Sequence, residues 1–324
     1  MNSPHLFPMA LRRMAVIFGM ILLGLASTGS ALARENLEIV SAGNPGGGLY
    51  QTASALQQIM QSEGIFQKVT VTSHSSTITL AAFINSHKGN PNKLLMSGVA
   101  MIGAHHFNRS SVNLSHVIPI ARLTGQYEVI VVPANSKIQT MKDLVAQFKA
   151  EPDKVSWGGG SVAGTDHVLT GMIAQALGVD PAKINYVAYA GGGATQASIL
   201  GGKVTAGIGG YGEFEAQINA GKLRALAISS PQRIPGIDVP TLKEQGVDVE
   251  LFNWRAIFAP PGITQEQKME LISVVEKTVR TPAWEETLKK NAWTDRYLAG
   301  DQFKNFFDAE QSRIEKAINA LRIP

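Results

Sequence analysis

Short apolar runs alternate with amphipathic stretches along most of the chain. Runs typical of buried strands include Leu37 to Val40, Lys68 to Thr72 and Lys93 to Met96. After Gly48, apolar side chains recur at helical spacing until Gly64 ends the stretch. Because strands that alternate with helices form sheets covered by helices on both faces, the pattern predicts an α/β fold.

A second series of the same kind begins near Val129. Its predicted strands are Val155 to Trp157, Asn185 to Tyr189, Val204 to Ile208 and Leu223 to Ile228. The helices between them end at glycines, as helices often do, because glycine adopts the left-handed conformation of a helix end without strain. This series therefore predicts a second complete α/β unit.

The C-terminal part of the chain is predicted to be mainly helical. Thr264 and Gln267 form a capping box for a helix that runs through Val279, and Asp301 is expected to cap the last helix. The last helix directs one apolar face inward, formed by Phe303, Phe306, Phe307, Ile314 and Ile318. These helices need a surface to cover, and the economical solution is that they return to the first α/β unit.

That return predicts two lobes. The first lobe comprises residues 34–131 plus 252–324, and the second comprises residues 132–251. Two crossovers, near Tyr127 to Pro133 and Val249 to Ala259, would join the lobes and form a hinge.

The first 33 residues have the three parts of a secretory signal. Arg12 and Arg13 supply positive charge, Met14 to Ala26 form an apolar core, and Ala31-Leu32-Ala33 forms a small-residue cleavage site. The apolar core is shorter than the roughly 20 residues that a spanning helix needs. We therefore expect cleavage after Ala33 and a mature protein in the periplasm.

Composition excludes several kinds of site. The chain has no cysteine, so disulfides, thiolate metal sites and thiol nucleophiles are absent. The formal net charge of +4 over 324 residues gives no reason to expect a nucleic-acid partner. His105 and His106 are adjacent and point apart, so they are not expected to share a metal ion. We expect no cofactor and no metal.

The candidate chemistry lies in three glycine-rich turns, each between a predicted strand and a predicted helix. They are Gly43-Asn44-Pro45-Gly46-Gly47-Gly48, Gly158 to Gly164, and Ala190-Gly191-Gly192-Gly193. The first amides of a helix have no intrahelical partner and lie at the positive end of its dipole, so such turns favour an anion such as a carboxylate. Because the turns contain no Lys or Arg, we expect neutral donors, including the hydroxyls of Ser161, Thr165 and Tyr189.

The sequence of the second turn resembles two enzyme motifs. Gly158-x-Gly160-x-x-Ala163 resembles a dinucleotide fingerprint, but the usual acidic residue does not end the next strand. Gly159-x-Ser161-x-Ala163 resembles a nucleophile elbow, but no histidine follows His167. Asp166 is expected in the first turn of the next helix, where it interacts with the dipole or meets a ligand amino group.

The chain resembles the extracytoplasmic solute-binding proteins of tripartite tricarboxylate transporters. The resemblance extends over the predicted mature chain and is carried by an ordered set of motifs: Pro45-x-Gly47-Gly48, Gly160-Ser161-x-x-Gly164, Val187-x-Tyr189-x-Gly191-Gly192, Gly221 to Ala227, Val239-Pro240-Thr241-Leu242-x-Glu244-x-Gly246, and Trp254 before Ala259-Pro260-Pro261-Gly262.

The resemblance implies a type II periplasmic-binding-protein fold, with two α/β lobes joined by two crossover strands and a ligand cleft between them. It also implies a protein that captures a small mono-, di- or tricarboxylate and delivers it to membrane permease subunits, with no bond broken. We expect a monomer. A secreted serine hydrolase that uses Ser161, and a sensory module that presents its ligand to a receptor, stay open as alternatives.

By position, the resemblance implies a set of ligand-binding residues in five loops. They are Gly46, Gly47, Gly48, Tyr50, Ser75, Ser76, Thr77, Ser161, Gly164, Thr165, Tyr189, Gly191, Gly192, Gly193, Gly210 and Tyr211. Many relatives have an aspartate soon after the first double glycine, where this chain has Tyr50 or Gln51. The usual Asn- and Gly-rich stretch after the second strand is replaced by Ser73-His74-Ser75-Ser76.

Overall fold

The structure is a computed structural model that describes residues 34–43, 45–73 and 76–323, without the side chains of residues 76–78. The expected secretory signal and its cleavage site lie outside the described residues, as do Asn44 and Ser75. Among the helices described, none is both long and apolar enough to cross a membrane.

Strands and helices alternate along the described chain. The strands are β1 (Arg34–Ser41), β2 (Phe66–Ser73), β3 (Lys93–Gly98), β4 (Ile118–Pro133), β5 (Ser156–Gly159), β6 (Asn185–Ala188), β7 (Ala206–Gly210), β8 (Leu223–Ile228), β9 (Phe252–Ala259) and β10 (Thr294–Ala299). The α-helices are α1 (Gly48–Ser62), α2 (Ser76–Ser86), α3 (Val99–Phe107), α4 (Met141–Ala150), α5 (Thr165–Ala176), α6 (Gly192–Leu200), α7 (Tyr211–Asn219), α8 (Gln265–Val279), α9 (Pro282–Lys290) and α10 (Gly300–Leu321). Short 3-10 helices occur at Leu114–His116, Pro152–Lys154 and Pro181–Lys183. The predicted α/β fold is confirmed.

The central strand β4 changes partners along its length. The strand order is β2-β1-β3-β9-β4-β7-β5-β6, and both β8 and β10 also pair with β4. The part of β4 from Ile118 to Tyr127 pairs antiparallel with β9, and the part from Glu128 to Pro133 pairs antiparallel with β7 and β8. Its residues are buried without exception from Leu123 to Val132, as expected for a strand covered on both faces.

The first predicted crossover segment lies within β4. The second begins just before β9 and continues to the end of that strand. These two strands lie side by side over the whole of β9, from Phe252 opposite Tyr127 to Ala259 opposite Ile118. The lobe boundaries themselves stay a prediction. Both strands carry polar side chains into the middle of the sheet, where Gln126, Glu128 and Arg255 are all less than 10% exposed.

The C-terminal helices cover two different parts of this sheet. Helices α8 and α9 pack near α1 in a cluster that includes Leu56, Leu271 and Trp284. Helix α10 contacts both α3 and α5. Its end fits closely on α5, because a Cβ atom on Gly171 would lie 2.7 Å from a methyl carbon of Leu321.

Sequence patterning predicted the caps of these helices only in part. The capping box of Thr264 and Gln267 is present on α8. The expectation that Asp301 caps the last helix is wrong, because α10 begins at Gly300 and its N-cap is Ala299. Asp301 instead lies in the first turn, where a carboxylate interacts favourably with the helix dipole.

An aromatic cluster attaches α10 to β9. The rings of Phe303 and Phe307 lie 6.4 and 6.3 Å from Trp254, and 5.7 and 5.5 Å from Phe258. Phe306 is only half-buried, and the guanidinium carbon of Arg122 lies 4.2 Å from its ring centroid. The apolar face of α10 thus holds the strand that carries Arg255 in place.

Removing one ring from this cluster is expected to destabilise the protein. Phe303 is fully buried, so Phe303→Ala leaves a cavity and should lower the free energy of unfolding by about 3–5 kcal/mol. Lys304→Ala on the exposed side of α10 is the control and should change it by less than about 0.5 kcal/mol. Urea denaturation followed by circular dichroism measures both, and equal small effects would contradict the role given to the cluster.

Candidate functional site

The three glycine-rich turns meet at one cleft. Its volume is about 890 Å³, and its lining includes Pro45 to Gly48, Gly160 and Ser161, and Tyr189 to Ala194. A smaller adjoining cavity of about 350 Å³ is bordered by Gly47, Gly48, Ser161 and Thr165 together with Gln126, Glu213, Asn253 and Arg255. Segments far apart in sequence therefore border one connected region.

Most of the predicted ligand-binding residues lie at this region. Gly46, Gly47, Gly48, Ser161, Tyr189, Gly191, Gly192 and Gly193 line the cleft, and Thr165 lines the adjoining cavity. Ser75 and the side chains of Ser76 and Thr77 lie outside the described part of the structure. The ligand-binding role of all these residues stays a prediction.

The remaining predicted residues, Tyr50, Gly164, Gly210 and Tyr211, line neither cavity. Tyr211 is 7% exposed and belongs to a hydrophobic cluster with Phe214. Gly210 lies against the side chain of Gln126, since a Cβ atom there would be 1.9 Å from its Nε2. Burial of Tyr211 and the contact of Gly210 with Gln126 keep these two residues from lining the cleft.

Two of the turns present the starts of helices to the cleft. The first intrahelical hydrogen bond of α1 runs from the amide of Gln51 to Gly47, and that of α6 runs from Thr195 to Gly191. The amides that precede these donors have no partner within their helix, and they lie at the positive end of the dipole. Gly191 has a φ of +106°, a conformation that favours glycine.

The second turn is used differently. The amide of Gly160 donates to Oδ2 of Asp166 at 2.6 Å, and the hydroxyl of Tyr186 donates to the carbonyl of Gly160 at 3.0 Å. This amide is therefore already hydrogen-bonded within the protein and is not free for a ligand. Ser161 is exposed at the cleft and offers its hydroxyl there.

Arg255 on β9 is a cationic side chain at the cleft that the sequence analysis missed, and Lys290 also lines the cleft. It is 4% exposed, yet it borders both the cleft and the adjoining cavity. Its Nη1 donates to the hydroxyl of Thr52 at 3.1 Å, and its guanidinium carbon lies 4.7 Å from the ring centroid of Trp293. Burial lowers the pKa of Arg255 to about 10, against the opposing effect of the Glu128 and Glu213 charges, so the side chain stays protonated at neutral pH.

The first glycine turn is shaped around this guanidinium. A Cβ atom on Gly48 would lie 2.5 Å from Nη2 of Arg255, so only glycine permits the approach. Within the described residues no carboxylate oxygen lies within 4.0 Å of Arg255. A cationic side chain therefore borders the cleft in addition to the neutral donors of the turns. The signal was present as a lone arginine in the apolar run Leu251 to Ala259.

Four carboxyl groups also lie at or behind the cleft: Glu213 and Glu215 line it, and Glu128 and Asp166 lie behind it. Burial raises the pKa of Glu128 well above its ordinary value, and the charges of Asp166 and Glu213 raise it further. Burial likewise raises the pKa of Asp166 to about 7. Both carboxyl oxygens of Glu128 are buried and have no hydrogen-bond partner among the described residues, which favours the neutral, protonated form of this group.

His167 is held in a neutral form. Its ring stacks on Tyr186 with centroids 4.1 Å apart, and its Nδ1 accepts the amide of Ala163 at 3.2 Å. Burial lowers the pKa of His167 to about 4. Among the residues described, no group of three or more His, Asp or Glu side chains is arranged to hold a metal ion.

Comparison with known proteins agrees with this architecture. The model of the tripartite tricarboxylate transporter family receptor, TctC, matches residues 106–323. The chain belongs to this family. Proteins of the TctC family are periplasmic binding proteins.

A curated relative of this receptor is the UPF0065 protein in the gbd 5′ region of Cupriavidus necator, 30% identical over 61% of this chain and 60% of that protein. The match thus spans about three fifths of that relative's length.

Solved structures show the same fold. A TctC solute-binding protein from Polaromonas has a TM-score of 0.71 and 24% identity, over 90% of this chain and 99% of that chain. MatC from Rhodopseudomonas palustris, solved with bound malate, has a TM-score of 0.74 and 16% identity, over 88% of this chain and 99% of that chain.

The buried carboxyl pair predicts a pH-dependent stability. Unfolded Asp166 titrates near about 3.9, whereas the folded group titrates at about 7, so between these values the folded receptor binds more protons. Its free energy of unfolding therefore falls as the pH rises from about 4 to 7. Asp166→Asn keeps an acceptor for the Gly160 amide and removes the charge. It should stabilise the receptor by about 1–3 kcal/mol at pH 8 and by much less at pH 4.5.

Urea denaturation at the two pH values measures this difference. Asp295→Asn is the matched control, because Asp295 is exposed and also accepts a main-chain amide, that of Tyr297. Lower stability of Asp166→Asn than of the wild type at pH 8 would show that the ionised carboxylate is net stabilising.

Proposed function

We propose that this receptor reversibly captures a small mono-, di- or tricarboxylate in the cleft and delivers it to the membrane permease subunits of a tripartite transporter. The observation that carries the proposal is the arginine at the cleft. Arg255 is buried, positively charged and without a carboxylate partner among the described residues. A ligand carboxylate would supply the missing partner.

Arginine suits this role because its guanidinium forms two parallel hydrogen bonds with a carboxylate. The aromatic ring of Trp293 and the hydroxyl of Thr52 fix the guanidinium in place, so little side-chain entropy is lost when the ligand binds. The buried position also reduces screening by salt.

The helix starts add to the binding. Each contributes ~0.3–1 kcal/mol, and up to ~2 kcal/mol when partly buried. Micromolar affinity needs about 8 kcal/mol, so the amides of α1 must act together with Arg255 and with the hydroxyl of Ser161. The malate bound by MatC supports a carboxylate as the class of ligand.

Closure of two lobes would complete the enclosure of the ligand. We propose residues 34–131 plus 252–324 as one lobe and 132–251 as the other, with β4 and β9 as the joining strands. The change of partners along β4 near Tyr127 and Glu128 supports a hinge at that point.

Membership of the TctC family supports the predicted cellular location. We propose that the chain acts in the periplasm as a monomer, after cleavage following Ala33.

The hydrolase alternative finds no support in the comparisons. It is also disfavoured by His167, whose Nδ1 is engaged by a main-chain amide and whose ring is stacked on Tyr186. We therefore propose capture without catalysis.

Replacing the arginine tests the proposal. Calorimetric titration of the wild type with a panel of small carboxylic acids should find at least one ligand. Arg255→Gln should weaken its binding by about 2–3 kcal/mol, roughly 30- to 150-fold, because charge-assisted hydrogen bonds are lost. Arg122→Gln is the matched control, since Arg122 is also a strand arginine stacked on an aromatic ring but does not line the cleft. Absence of any carboxylate binding to the wild type would refute the proposed function.

A further inference from the structure

We infer that the ligand carries a positively charged amine in addition to its carboxylate, and that the carboxylate of Glu213 binds this amine. The inference rests on the proposed function and names the ligand more narrowly, as a zwitterionic amino-carboxylic acid. The starting observation is that a glutamate, Glu213, lines the cleft that is proposed to bind carboxylates. Capture of a simple carboxylate gives no reason for a negative charge at that position.

Glu213 belongs to the wall of the cleft. It lies in the first turn of α7 and borders both the cleft and the adjoining cavity, as Arg255 does. A Cβ atom on Gly192 would lie 2.1 Å from its Oε2, so the carboxylate lies directly against the first residue of α6. Its main-chain carbonyl accepts a hydrogen bond from Nε2 of Gln196 at 3.0 Å, which ties α7 to α6.

The carboxylate of Glu213 has no hydrogen-bond or ion-pair partner among the described residues. It does not pair with Arg255, although each group affects the pKa of the other through its charge. The guanidinium lies at the start of α1 and the carboxylate lies at the start of α6. Arg255 and Glu213 thus border one cleft as opposite charges without an ion pair between them, and Lys290 and Glu215 border the same cleft. Glu213 is exposed at the cleft and is accessible to a ligand.

The charge balance favours a zwitterion. The four charged side chains that border the cleft, Arg255, Lys290, Glu213 and Glu215, sum to zero net charge when they are ionised. A simple carboxylate would leave a net negative charge in the cleft beside Glu213, and like charges repel each other. An ammonium group on the ligand offsets this repulsion and supplies Glu213 with the donors that it lacks.

Two competing roles of Glu213 lead to different measurable results. If it only stabilises the start of α6 through the helix dipole, its removal lowers stability and leaves ligand choice unchanged. If it binds in a protonated form and donates to a ligand carboxylate, acids without an amine bind as well as amino acids, and they bind more weakly as the pH rises.

The test is a calorimetric comparison of matched ligands with the purified wild-type protein at neutral pH. The first series contains unbranched acids with a terminal amine, from glycine to 6-aminohexanoate, each compared with the unsubstituted acid of the same carbon chain. The second compares each carboxylic acid that binds in the panel with its 2-amino derivative. At least one amino compound should bind roughly 10-fold or more tightly than its partner.

Glu213→Gln should remove this preference, by weakening the amino compound roughly 10-fold or more while the unsubstituted acid binds equally or more tightly. Glu215→Gln removes the same charge from the same helix at a second position that borders the cleft, and it should keep the preference. Thermal denaturation of each variant checks that it is folded.

The outcomes are distinguishable. If carboxylic acids bind but no amino compound binds more tightly than its partner, the inference is overturned and the proposed function stands. If the preference exists but survives in Glu213→Gln, the assignment to Glu213 is wrong. If no compound of either kind binds to the wild type, the proposed function fails and the inference fails with it.

Discussion

A single desolvated guanidinium determines how the cleft is built. Burying a positive charge is costly unless neighbouring groups compensate, and here a hydroxyl, an aromatic face and more distant carboxylates share that task around Arg255. The glycine at position 48 permits the approach, because any side chain there would collide with the guanidinium. The first turn, strand β9 and helix α9 with the following Trp293 are therefore linked through one side chain.

The position of that guanidinium depends in turn on two long neighbouring strands. Strands β4 and β9 run antiparallel through the middle of the sheet and carry Gln126, Glu128 and Arg255 to the level of the glycine turns. Aromatic packing of α10 on Trp254 and Phe258 holds β9 against movement. A charged side chain in such a rigid element is placed more accurately than one on a loop, which is an advantage for recognising a small ligand.

The balance of charges gives the cleft its chemical character. The start of α1 and Arg255 make one part of it attractive to a carboxylate, whereas Glu213, which lies against the start of α6, makes another part attractive to a cation. Burial raises the pKa of both Glu128 and Asp166. Because the pKa of Asp166 is raised to about 7, its charge depends on pH near neutrality, and the free energy of unfolding depends on pH with it.

The sequence by itself determined the α/β fold, most element positions, the capping box on α8 and the three glycine-rich turns, because these follow from local periodicity and from the conformational needs of turns. It also carried the resemblance to the receptor family. Tertiary structure alone decided which turns share a cleft, that Tyr211 is buried away from it, and that Arg255 and Glu213 border it. The reason is physical: a lone arginine in an apolar strand signals a buried charge but not what it faces, and a glutamate in a first helical turn looks locally like an ordinary residue. Their opposite charges acquire meaning only when strands and helices distant in sequence bring them to one cleft.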